Sequence, residues 1–122
     1  MNLELRKDGK LLFASEKTRL RPLMECLEQF MGKLEGCELY DKIVGLAAAR
    51  LIVYSKLITS VKAGTLSLPA KELLEAAGIE VASENLVPVI LNNELTGPCP
   101  MELKAKDVSN EEFYNHMKAL LG

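Results

Sequence analysis

The chain has 122 residues, of which 48% are hydrophobic and 26% charged, with 15 basic side chains against 17 acidic ones. This length and hydrophobic content fit a single folded domain over residues 1–122 and disfavour wholesale disorder. Because the chain lacks a basic surplus and contains no tryptophan, it is a weak candidate for binding nucleic acid.

The sequence indicates neither a membrane span nor a secreted protein. The first residues alternate between apolar and charged side chains, unlike the continuous apolar stretch of a secretory signal. The longest apolar stretch is interrupted by Arg50 and falls short of the roughly 20 residues that a spanning helix needs. An odd number of widely spaced cysteines indicates a cytoplasmic protein without a disulfide framework. With one histidine and no CxxC pair, we expect no metal site and no cofactor.

The chain begins with a predicted β-hairpin. Asp8-Gly9 tolerates the positive φ of a two-residue type I′ turn, which would pair Lys7 with Lys10 and Leu5 with Leu12. In that register, apolar side chains fall on both faces of the second strand. We therefore expect helices on both sides of the sheet.

Helices and strands alternate after the hairpin. The predicted elements are a helix over 22–34, a strand over 37–40, a helix over 42–57, a strand over 60–66, a helix over 69–77 and a strand over 79–82. This alternation is typical of parallel βαβ units. We expect a short helix over 87–93, and Ser109 with Glu112 forms a capping box for a final helix.

The first candidate site is the strand-to-helix junction Asp41 to Gly45. Asp41 is a good N-cap for the predicted helix, and Lys42 in its first turn would oppose the helix dipole. Gly45 inside the helix would cost up to about 1 kcal/mol relative to alanine. Two unfavourable choices at the carboxyl end of a strand favour an anion site, with Lys42 meeting the charge and Gly45 allowing close approach. The alternative is a solvated lysine and a glycine required by packing.

Two further segments are candidates. Thr65 and Ser67 precede the helix that begins at Pro69, where Ser67 either caps the helix or turns its hydroxyl toward a ligand. Cys99 stands between two prolines, which restrict the backbone on both sides of the thiol. A thiol at a fixed position can contact a ligand, act as a nucleophile or sense oxidants, and the alternative is a rigid loop whose cysteine packs.

Two sequence blocks resemble a small prokaryotic family of unknown function. They are DKIVGLAAA from Asp41 to Ala49, and TGPCPME from Thr96 to Glu102. Representatives of that family share the cytidine deaminase-like fold, which implies a three-layer α/β/α sandwich around a mixed five-stranded sheet. The zinc ligands and the proton-transferring glutamate of true deaminases are missing at both helix starts, so attack by zinc-bound hydroxide is not available. The resemblance implies that the two helix starts converge on one pocket, which Cys99 approaches from the tail.

Three functions follow as alternatives. The leading one is a metal-free domain that binds a small anionic, nucleotide-like ligand in that pocket. The second is an enzyme or redox sensor in which Cys99 is the catalytic thiol. The third is an interaction module that assembles through the alanine-rich helix or an apolar face, and a homodimer is compatible with all three. The predicted ligand contacts are Asp41, Lys42, Gly45, Thr65, Ser67, Thr96, Gly97 and Cys99.

Overall fold

The computed structural model describes residues 2–17, 19–90 and 100–121. Within these residues the strands are β1 (Leu3–Lys7), β2 (Lys10–Ser15), β3 (Cys37–Val44), β4 (Ile58–Ser67) and β5 (Glu80–Val87). The helices are α1 (Arg21–Phe30), α2 (Leu46–Ser55), α3 (Leu68–Ala76), α4 (Pro100–Lys104) and α5 (Asn110–Leu121). No described helix is long and apolar enough to cross a bilayer.

The strands form one mixed sheet in the order β2-β1-β3-β4-β5. Strand β1 is antiparallel to both β2 and β3, whereas β3, β4 and β5 are parallel. The predicted α/β class, the mixed five-stranded sheet and the N-terminal hairpin are confirmed.

The helices lie on one side of this sheet. Helices α1, α2 and α3 each connect two strands of the same direction and step the same way across the sheet, so right-handed crossovers place all three on one face. Helix α2 contacts α1, α3, α4 and α5. On the other face, Arg6, Glu38 and Lys62 are exposed. The expected second helical layer is therefore absent from the described part of the chain.

A β-bulge explains why both faces of β2 looked apolar. Lys7 pairs with Lys10 as predicted, but the register shifts between Leu5 and Arg6, so Leu5 pairs with Phe13 instead of Leu12. The extra residue of a bulge changes which side chains face inward. Leu12 and Phe13 both pack against the core, and neither requires a helix on the far face.

The junction between β3 and α2 differs from the prediction. Strand β3 continues to Val44, and Gly45 is the N-cap of α2, so the expected N-cap role of Asp41 and the helical position of Lys42 are wrong. The β-branched pair Ile43-Val44 favours extended backbone and pairs with β4 at Thr65 and Leu66. Sheet pairing therefore overrides the local capping pattern at Asp41.

Other helix and strand boundaries also differ from those predicted from the sequence. Helix α1 ends at Phe30, and positive φ at Gly32 marks the turn that replaces its expected last residues. Strand β5 runs to Val87, where a short helix was expected, and the last residues of that expected helix, 91–93, lie outside the described residues. The capping box of α5 is confirmed, since the Glu112 amide donates to Ser109 Oγ at 3.0 Å.

Helix α2 forms the centre of the core. Ala47, Ala48 and Ala49 are all buried, and their small side chains allow close approach to the sheet and to neighbouring helices. The three alanines are therefore covered by the chain's own sheet and helices.

Candidate functional site

Two helices begin side by side at the carboxyl edge of the parallel strands. Val44 of β3 pairs with Leu66 of β4, and the N-caps Gly45 and Ser67 each follow by one residue. The amino-terminal ends of α2 and α3 therefore lie next to each other. This edge is where open α/β sheets place their ligands.

A carboxylate of the chain itself occupies the amino-terminal end of α2. The amides of Leu46 and Ala47 donate to the two oxygens of Glu102, each at 2.7 Å. Glu102 belongs to α4, far along the sequence, and is buried. Two charge-assisted hydrogen bonds at the positive end of a helix dipole stabilise a negative charge strongly.

Gly45 provides the room for that carboxylate. A Cβ atom at position 45 would collide with the carboxylate group of Glu102. Burial raises the pKa of Glu102, while the amide hydrogen bonds from Ala47 and Leu46 lower it. Gly45, which was predicted to lie inside a helix, is thus the N-cap that allows the Glu102 carboxylate to reach the start of α2.

The start of α3 is capped by a residue of its own segment, Ser67. Its hydroxyl is fully buried and accepts a hydrogen bond from the Ala70 amide at 3.3 Å, so it acts as the N-cap. Thr65 lies two residues earlier on β4, half-buried and paired with Ile43. Of the two interpretations of Ser67, capping is the one that the described contacts support.

Asp41 and Lys42 lie on opposite faces of β3. Asp41 shares the buried face with Leu39, whereas Lys42 is exposed, because successive residues of a strand point to opposite sides. Burial raises the pKa of Asp41 to about 7, against the lowering effect of hydrogen bonds from the Ile43 and Lys42 amides. The structure therefore does not bring these two side chains together as a helix start would have done.

Thr96, Gly97 and Cys99 lie outside the described residues. Proximity between the Lys42 amine and the Cys99 sulfur stays a prediction, as does a catalytic or redox role for this thiol. The two other cysteines are poor nucleophile candidates, because burial raises the pKa of Cys26 to about 12 and also raises that of Cys37.

Sequence reasoning missed two contacts that join α2 to α4 and to the residues that follow it. One is the Glu102 carboxylate, although Glu102 is the last residue of the second sequence block. The other is Arg50 of α2, whose guanidinium donates to the carbonyls of Ala105 and Lys106 and, at 3.1 Å, to Asn110 Oδ1. A charge inside an apolar helix was the available signal, since such a group needs partners when it is partly buried.

Surface depressions occur elsewhere on the molecule. One of about 420 Å³ lies on the face of the sheet away from the helices. Another of about 440 Å³ lies between α1 and the end of α5. Neither is lined by the predicted ligand contacts. Within the described ranges no cluster of three or more histidine, cysteine or acidic side chains is arranged to hold a metal ion.

These features define a class of α/β domain with a mixed sheet, one helical layer in the described part of the chain, and two adjacent helix starts, of which that of α2 is capped by an internal carboxylate. The sequence matches the family described as domain of unknown function DUF1893 (TM1506) over residues 3–121, and the chain belongs to this family. A crystal structure of a DUF1893 family protein (TM1506) from Thermotoga maritima at 2.70 Å is similar, with a TM-score of 0.87 and 28% identity. That match covers 98% of this chain and 80% of the other. The comparison with curated proteins found no match.

Proposed function

We propose that the protein is a metal-free binding domain whose small anionic ligand replaces the Glu102 carboxylate at the start of α2. The observation that carries this proposal is the pair of 2.7 Å hydrogen bonds from the Leu46 and Ala47 amides. These hydrogen bonds support the proposal, because two amides already hold the oxygens of a carboxyl group there. Phosphates and carboxylates bind at helix amino-terminal ends through the same groups.

Helix α4, which carries Glu102, is suited to release this carboxylate in favour of a ligand anion. Helix α4 has five residues, and a helix of that length is not stable without packing. Burial also raises the pKa of Glu102, so part of the hydrogen-bond energy is offset by desolvation. A ligand anion has to compete with a tethered group whose effective concentration is in about the millimolar range.

The ligand class follows from the resemblance to deaminase-like domains. In such a fold the two helix starts enclose a base-holding pocket, and the adjacent starts of α2 and α3 support the same placement here. A nucleotide-like ligand would direct its phosphate to the α2 amides. Thr65, two residues before the N-cap Ser67, and the buried carboxyl of Asp41, three residues before the end of β3, are polar groups near that edge. Lys42, on the other face of the sheet, is not required.

Removing the internal competitor tests this proposal. We expect Glu102→Ala to bind inorganic phosphate and a nucleoside monophosphate at least about tenfold more tightly than the wild type, because the α2 amides become free. The measurement is a titration followed by the ¹H–¹⁵N resonances of Leu46 and Ala47. The spectrum also reports whether the variant is folded.

The matched control is Glu112→Ala, which removes a carboxylate that caps its own helix α5. It should leave phosphate affinity at the wild-type value. If the Leu46 and Ala47 resonances of folded Glu102→Ala do not move with either ligand, the carboxylate is only a structural cap and the proposal is wrong.

A further inference from the structure

The first turns of α2 hold the segment around α4 at two separate points. The amides of Leu46 and Ala47 donate to the Glu102 carboxylate at 2.7 Å. One turn further along α2, the side chain of Arg50 reaches the backbone that follows α4. Helix α4 therefore lies along the beginning of α2, with one charged contact near each of its ends.

Arg50 closes the carboxyl end of α4. Its guanidinium donates to the carbonyls of Ala105 and Lys106, just after the last residue of α4. A third hydrogen bond, at 3.1 Å, goes to Oδ1 of Asn110, the first residue of α5. Carbonyls at the end of a helix lack partners inside the helix and carry the negative end of its dipole, so a cation is favoured there. Arg50 thus fixes both the end of α4 and the turn into α5 to the side of α2.

Few apolar contacts hold α4 in place. Leu103 and Lys104 are exposed, and Met101 is only partly buried against the core. Ala105 is fully buried but offers a single methyl group. Because a helix of five residues is not stable without packing, the position of α4 depends on its two charged contacts.

We propose that Arg50 is a positioning residue that keeps the start of α2 closed, and that its contacts and those of Glu102 form and break together. The two sets of contacts share one short helix, so loss of either leaves the other on a tether that moves more freely. This inference rests on the proposed function, because the closed state is the one that a ligand anion has to displace. A ligand then binds more weakly by the fraction of molecules that are open, and Arg50 sets that fraction without touching the ligand.

Hydrogen exchange of the ligand-free protein tests the coupling. Arg50→Met should accelerate exchange at the Leu46 and Ala47 amides at least about tenfold, because one opening exposes the start of α2 together with α4. The Ala105 amide should accelerate by a similar factor. Coupling is reciprocal, so Glu102→Ala should also accelerate exchange at Ala105. Arg50→Lys keeps the charge but loses the planar fork of donors, and it should fall between Arg50→Met and the wild type.

The control is Arg21→Met, the same change at an exposed position of α1, which should leave all these amides as in the wild type. Ile52, inside α2, reports global unfolding. If Arg50→Met accelerates exchange at Ala105 but not at Ala47, the two contacts are independent and this inference is wrong, while the proposed function stands. If Ile52 accelerates as much as Ala47, Arg50 only stabilises the fold, and the inference is wrong as well.

A phosphate titration in two backgrounds separates positioning from a purely structural role. Arg50→Met should bind inorganic phosphate at least about threefold more tightly than the wild type, and no more tightly than Glu102→Ala. In the Glu102→Ala background the same substitution should change phosphate affinity less than about twofold, since no tethered carboxylate is left to position. An equal effect in both backgrounds overturns the inference. If phosphate binds in neither background, the proposed function fails, and the exchange data alone decide whether Arg50 positions Glu102.

Discussion

Single charged side chains inside this fold are matched by backbone groups. The Glu102 carboxylate accepts from two amides at the start of α2, and the Arg50 guanidinium donates to two carbonyls beyond α4. Each contact satisfies groups that a helix leaves unpaired at its ends. The charges therefore bind α2 and α4 together without an ion pair between them.

Asp41 gives the fold a pH dependence of its own. The pKa of its buried carboxyl is raised to about 7, whereas an unfolded aspartate titrates near about 4. The native state therefore holds more protons between these values, and the free energy of unfolding falls as pH rises through this window, by up to about 1.4 kcal/mol per pH unit.

Asp41→Asn should remove that dependence. The amide stays neutral and can still accept from the Ile43 amide, so the variant should be more stable than the wild type above pH about 7 and similar near pH about 4. Urea unfolding at several pH values measures the difference. Asp107→Asn at an exposed position is the control, and a parallel pH profile for Asp41→Asn and the wild type would contradict the assignment.

At the scale of elements, α4 is held to α2 at two points, and Arg50 is one of them. Arg50→Met keeps the length of the side chain but leaves the carbonyls of Ala105 and Lys106 without their donor. Because an unpaired polar group costs about 1–3 kcal/mol, we expect at least about tenfold faster hydrogen exchange at the Ala105 amide. Exchange inside α2, at Ile52, should change little.

Arg21→Met serves as the control, since Arg21 is exposed at the start of α1. It should leave exchange at Ala105 as in the wild type. Equal acceleration at Ala105 and Ile52 in Arg50→Met would show global destabilisation, and Arg50 would then not be a specific anchor of α4.

Element types were predictable from the sequence where local chemistry and sheet pairing agree. Asp8-Gly9 fixes the hairpin turn, and Gly78, with φ of +80°, ends the segment after α3. At Asp41 local chemistry and sheet pairing disagree, because this good capping residue lies in β3, which pairs with β1 on one side and β4 on the other. The bulge after Leu5 had no local signal and changed the register of β2.

For the whole molecule, the sequence predicted the sheet and the adjacent helix starts, but it did not predict that Glu102 caps the start of α2. The contact of Glu102 with α2 joins residues more than fifty positions apart, and no periodicity reports such a pair. The exposed face was missed for a related reason. Apolar residues on β2 suggested a second helical layer, whereas the central strands carry alternating charges there.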